Sequence, residues 1–118
     1  MPTQTNLGSF ERQSGWLARG YLAPDRCVLL ALNLIDLVGM TPDGGPDIRF
    51  YPNAQGNGGQ GVQVYQPLVE SWLVIGTWPE LGLVRVNLSS CKEYDPQAVQ
   101  AHLEAQVGPV IKSYSEVL

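Results

Sequence analysis

Hydrophobic and polar positions along this chain change period several times, and each change marks an element. In "LVRVNLSS" (Leu83–Ser90), Val84, Val86 and Leu88 face one way and Leu83, Arg85, Asn87 and Ser89 the other. That two-residue period predicts a strand with one buried face. "IRFY", "VQVYQPLV", "SWLVIG" and "PVIKSYSEVL" also read as strands, rich in β-branched and aromatic residues. "GWLARGYLA" (Gly15–Ala23) is expected as a first strand carrying Trp16, Leu17, Tyr21 and Leu22. Two stretches read as helices. "PDRCVLLALNLIDLVG" places Asp25 as an N-terminal cap and Gly39 as a stop, and its apolar residues run around nearly every side. That helix is expected to be largely covered. "DPQAVQAHLEAQVG" has Asp95 as cap, Pro96 in the first turn and Gly108 at its end, with Val99, Leu103 and Val107 as a core stripe.

Between these elements, "TPDGGPD" is a turn by composition and "PNAQGNGGQG" a glycine-rich loop. Residues 1–14 are polar and aperiodic, so they predict a flexible N-terminal arm ahead of a single domain over 15–118. Strands joined by hairpin-length links, with two helices interposed, imply an α/β (α+β) two-layer sandwich. Its sheet should be mostly antiparallel, with both helices on one face. The other face then needs a cover, which for a domain this small points to a homodimer.

Composition narrows the function. The chain has 118 residues, a hydrophobic fraction of 44% and charged residues at only 15%, with a net charge of −4. It carries no basic stripe, which excludes general nucleic-acid binding. The most apolar segment, "CVLLALNLIDLVGM", spans 14 residues and includes Asn33 and Asp36, too short and too polar for a membrane span. It also begins too far into the chain for a secretion signal. Two cysteines, Cys27 and Cys91, do not make a disulfide framework, so a reduced, cytoplasmic protein is expected.

Few residues suggest chemistry on their own. Gly56, Gly58 and Gly61 match G-x-G-x-x-G, but a strand rather than a helix follows, which excludes the dinucleotide reading. The only histidine, His102, has no partners at metal spacing and reads as a helix-surface residue; no metal site is expected. Cys27 belongs to the core, and Trp16, Trp72 and Trp78 read as core or interface aromatics.

One constellation stands out: "ESWLVIGTWPELG" followed by "VRVNLSSCKEYDPQAV". It resembles the self-cleavage segment of the bacterial, pyruvoyl-dependent S-adenosylmethionine decarboxylases, in which Glu-Ser, a short strand, a histidine, Thr-Trp-Pro-Glu and a later cysteine recur in this order. The likeness is good from Gly61 to Leu103; residues 15–60 match only in the order of elements. By resemblance, Ser71 would attack the carbonyl of Glu70, converting the peptide to an ester. Elimination and hydrolysis would then leave a pyruvoyl group at the new chain end. That ketone takes the electron-sink role of pyridoxal phosphate. The resemblance makes Cys91 the proton donor to the product and assigns Glu80 and Trp78 to substrate binding, Glu80 holding the ribose hydroxyls.

The chain departs from the family at two positions. The histidine five residues after the serine is Gly76, and a second serine eight residues before it is Gln63. Glycine offers no base, and an amide cannot relay a proton as a hydroxyl can. General-base help is worth roughly 100- to 10,000-fold, so self-processing is the step expected to be lost. Ser71 then reads as a strand serine hydrogen-bonded to the backbone. The expectation is a divergent, pyruvoyl-free member with no cofactor, a pyruvoyl group arising from Ser71 only if processing occurs. Such a protein would bind an adenosyl compound or a catalytic paralogue. An active decarboxylase serving spermidine synthesis, and a structural dimer module without ligand, are the alternatives.

Overall fold

The computed structural model describes residues 11–53 and 59–118. In chain order the elements are β1 (Arg12–Arg19), α1 (Pro24–Leu37), β2 (Asp47–Tyr51), β3 (Gly61–Leu68), β4 (Ser71–Trp78), β5 (Leu83–Ser90), α2 (Pro96–Gln106) and β6 (Val110–Val117). The strands form one six-stranded sheet in the order β2-β3-β4-β5-β1-β6, every neighbouring pair antiparallel. Helix α1 packs on β3 and β4, α2 on β1 and β6, and the helices touch each other. This is the expected two-layer α+β sandwich, with both helices on one face.

Strand register explains the core. Val64, Ile75, Val86 and Trp16 are successive cross-strand partners over β3, β4, β5 and β1, and all four are buried. Cys27, Leu30 and Leu34 of α1 and Val99 and Leu103 of α2 close over that row. The parity expected for β5 holds: Val84, Val86 and Leu88 face the helices. The opposite face carries Tyr65, Tyr114 and half-buried Leu17, Trp72, Val74 and Leu83, and no described element covers it.

Several local expectations need correction. Strand β1 begins at Arg12, not Gly15, and ends at Arg19, short of Ala23. Residues 11–14 therefore do not belong to a loose arm, and residues 1–10 lie outside the described residues. The early start escaped notice because the inward residue there is polar. Ser14 is 1% exposed, with its Oγ 2.8 Å from Ser115 Oγ and 2.7 Å from the Tyr94 hydroxyl. The Tyr94 hydroxyl also lies 3.1 Å from the Leu88 carbonyl. Burial raises the Tyr94 phenol above its ordinary value, an effect the Ser14 hydrogen bond opposes.

Asp25 does not cap α1. The N-cap is Ala23, Pro24 opens the helix, and Asp25 lies in the first turn, where its charge favours the positive helix end. The stop at Gly39 is as expected. Gly39 adopts φ 68°, its N–H reaches the Asp36 carbonyl and the Met40 N–H reaches that of Ile35, a Schellman ending that a left-handed residue permits. Helix α1 is covered on one side only: Leu29, Leu32 and Leu37 are each about half exposed. In α2 the Asp95 carboxylate accepts the Gln97 N–H at 2.9 Å, as the capping sequence requires.

Candidate functional site

The residues singled out by the Glu-Ser and Thr-Trp-Pro-Glu motifs fall at the two ends of β4. At its start, Val69 and Glu70 make the two-residue turn that carries β3 into β4. The loop after α1 pins this turn. The Val69 N–H donates to the Thr41 carbonyl at 2.9 Å, and the Thr41 N–H donates to Glu70 Oε1 at 2.9 Å. Behind it, the Cys91 N–H donates to the Glu70 carbonyl at 3.0 Å. The structure thus brings the Cys91 backbone to the Glu70–Ser71 bond. Strand β5 ends at Ser90, so its inward–outward alternation does not extend to Cys91.

The Ser71 hydroxyl finds a partner the sequence did not suggest. It donates to Glu11 Oε2 at 3.3 Å, and the Ser89 hydroxyl donates to the same oxygen. Ser71 therefore bonds a carboxylate rather than the backbone. Glu11 is held in turn by the Leu118 N–H, which donates to its carbonyl at 2.8 Å. Ser71 is the only described non-glycine residue with a positive φ, 157°, at the margin of the extended region.

At the far end of β4 the Thr-Trp-Pro-Glu sequence shapes a pocket. The Thr77 hydroxyl accepts the Val62 N–H at 3.0 Å, substituting a side chain for the next ladder carbonyl. Pro79 then opens a single 3-10 turn (Pro79–Leu81), and Gly82 at φ 64° returns the chain to β5. The turn sets Glu80 beside Tyr51, Gln63, Gly76 and Trp78 around a cavity of about 320 Å³, near the lower end for small-molecule sites. Glu80 Oε1 is buried and has no hydrogen-bond partner among the described residues.

Gln63 and Gly76, the two departures, are direct cross-strand partners in this pocket. A Cβ at Gly76 would sit 3.4 Å from two ring carbons of Trp78, so the indole lies against the space a side chain there would use. The next residue in the row, Arg85, holds its guanidinium 5.1 Å from the Trp78 ring centroid, a cation–π stack.

The two ends are far apart. Ser71 and Gly76 lie five positions apart along β4, ~17 Å at the usual rise. Ser71, Glu70 and Cys91 form one group; Glu80, Trp78, Gln63 and Gly76 form another; one chain does not bring the two together. The glycine loop through Gly56 and Gly58 falls outside the described residues, so its role stays an expectation. His102 lies on α2, away from both groups, with its Nε2 buried and without a hydrogen-bond partner among the described residues. Among the described residues no cluster of His, Cys, Asp or Glu could hold a metal ion. Nor, among the described residues, is any helix long and apolar enough to cross a membrane.

Fold and motif together define an antiparallel α/β sandwich of the decarboxylase kind. The family described as S-adenosylmethionine decarboxylase matches residues 30–117. The chain belongs to that family. Among solved structures it is similar to the adenosylmethionine decarboxylase from Aquifex aeolicus, at 18% identity and a TM-score of 0.66, over 93% of this chain and 89% of that one. At that identity the likeness speaks for the fold alone. Comparison with curated proteins finds no match.

Glu11, Ser89 and Arg85 escaped the sequence reading. Glu11 lies in the stretch that looked like an arm. Ser89 and Arg85 are distinguished only by which strand stands beside theirs.

Proposed function

We propose that this protein is a pyruvoyl-free member of its family, a cytoplasmic binding or regulatory protein for an adenosyl compound in S-adenosylmethionine and polyamine metabolism. One observation carries the reading. The pocket after β4 keeps a buried carboxylate oxygen of Glu80 without a partner among the described residues, while glycine and glutamine stand where the resemblance would have histidine and serine. An unpaired buried acceptor costs roughly 1–3 kcal/mol, a cost that ribose hydroxyls donating to Glu80 would offset. Trp78 supplies an aromatic wall. The loss of two proton-handling groups removes the elimination step that creates the ketone.

The uncovered sheet face supports pairing of two copies. A two-fold axis across that face would set the Ser71 end of one β4 against the Glu80 end of the other and assemble both groups into one site. A partner with histidine and serine in place, a catalytic paralogue, could occupy the same position.

Two measurements test this. Intact mass under denaturing conditions should show one chain with no hydrazine-reactive carbonyl. S-adenosylmethionine should raise the melting temperature, since a ligand that binds only the native state stabilises it. Two chains, the second blocked by a ketone, would overturn the reading in favour of the active decarboxylase, which the meeting of Glu70, Ser71 and Cys91 favours. Absence of any thermal response would leave the structural dimer module.

A further inference from the structure

We infer that the open sheet face holds a second binding site, a cavity beside the Glu80 pocket that takes a planar aromatic molecule bearing one negative charge. It goes beyond the binding role proposed above: only Trp78 borders both cavities, and no carboxylate takes part in this one.

The cavity has a volume of about 400 Å³, within the range of small-molecule sites. Leu17 and Leu83 form its floor, and aromatic rings stand on two sides. On one side the Tyr114 ring lies across Gly15, where a Cβ would stand 2.7 Å from Asn87 Nδ2 and closer still to the ring. Asn87 Nδ2 donates to the Tyr114 hydroxyl at 3.3 Å and holds the ring there. On the other side is Trp78, with the Arg85 guanidinium stacked 5.1 Å from its centroid.

The charge pattern selects the sign of the ligand. Arg85, Leu17 and Lys112 are successive cross-strand partners over β5, β1 and β6, so both cations rise from one row. Neighbouring strands lie ~4.8 Å apart, which sets the two Cα atoms ~10 Å from each other. Two long side chains close that gap on one anion. The chain has eleven acidic residues against seven basic ones, yet no Asp or Glu lines this cavity. Among the described residues the ion pairs are Arg12–Glu93 and Arg49–Asp47, which leaves Arg85 and Lys112 without a counterion. Two like charges over an apolar, aromatic-walled floor fit a flat apolar body ending in a carboxylate or sulfonate, which an arginine fork binds through parallel hydrogen bonds. A second copy resting on this face would add its own Arg85 and Lys112, because a two-fold contact uses one patch twice. Pairing therefore increases the need for an anion here.

Two fluorescent probes with nearly the same aromatic body separate charge from hydrophobicity. 8-Anilinonaphthalene-1-sulfonate is an anion; N-phenyl-1-naphthylamine is neutral. Titrated into the native protein, the sulfonate should bind one per chain and roughly 10- to 100-fold more tightly than the amine, the range for hydrogen bonds to charged groups. Arg85→Met with Lys112→Met keeps the apolar stems and removes the charges. That double variant should bring the two affinities level without weakening the amine. Arg26→Met, which removes an exposed cation of α1, should change neither. All variants are checked for the wild-type melt.

Equal affinities in wild type would overturn the inference. So would a preference for the sulfonate that persists in the double variant, or one that falls as far in Arg26→Met. A thermal response to S-adenosylmethionine beside such a result would leave the Glu80 pocket standing. Sulfonate preference without that response would leave this cavity standing, so the two proposals fail separately.

Discussion

Replacing Glu80 with Met should make the unliganded protein more stable and its ligand response weaker. The Glu80 Oε1 oxygen is buried and unpartnered among the described residues, beside the pocket bounded by Gly76 and Trp78. Methionine has similar reach and no strong acceptor, so it removes an unsatisfied polar atom and adds apolar contact. An orphaned buried group costs roughly 1–3 kcal/mol. For a chain of this size that is about 4 °C per kcal/mol in Tm, so a rise of ~4–12 °C is expected. Thermal unfolding followed by circular dichroism, with and without S-adenosylmethionine, reads both effects. The ligand-induced shift seen in wild type should vanish in the variant. A variant that melts at or below the wild-type temperature would show that Oε1 is satisfied in solution. The argument that it waits for a ligand would then collapse. Functional groups held at a cost to stability are common in binding sites.

Four further outcomes follow from the structure. Gly76→His with Gln63→Ser should yield a hydrazine-reactive 71–118 fragment. The Cβ at position 76 meets the Trp78 ring at 3.4 Å, a distance a small indole shift accommodates, and continued absence of a carbonyl would show that more than these two groups is missing. Gly15→Ala should lower Tm by several degrees, because its Cβ would stand 2.4 Å from Tyr114 Cε1 and 2.7 Å from Asn87 Nδ2; displacing that ring falls within the ~1–3 kcal/mol typical of overpacking. Native protein should lose only Cys91 to iodoacetamide at pH 8–9 (~1 thiol per chain), as Cys27 is 0% exposed and burial, reinforced by Asp25, raises its thiol to about 12. The unfolded chain ionises Cys27 from about 9, so this group's stabilising contribution is complete below that pH and is lost as pH rises toward 12; a stability flat over that range would refute it.

The sheet and helices were legible wherever one face is apolar. The alternation of Val84, Val86 and Leu88 fixed β5 to the residue, and the Asp95–Pro96 start of α2 is a local signal that tertiary contacts had no reason to override. Strand β1 was misplaced because its inward residue at position 14 is a serine, made tolerable by Tyr94 and Ser115, residues ~80–100 positions away that no local window sees. The outer leucines of α1 misled in the other direction: helical apolarity on all sides predicts burial, and the fold supplies a cover for one side only. At the site, motif spacing located Glu70, Ser71, Glu80 and Cys91. It could not reveal that Ser71 and Glu80 lie at opposite ends of one strand, nor that Glu11 closes on the serine, because both follow from strand pairing.

The spatial order of strands has a last consequence for any break at Glu70–Ser71. Strands β1 to β3 precede that bond and β4 to β6 follow it, yet the sheet runs β2-β3-β4-β5-β1-β6. The two pieces are interleaved, joined along the β3–β4, β5–β1 and β1–β6 ladders. A severed chain would therefore elute and sediment as a whole one, its halves parting only in denaturant.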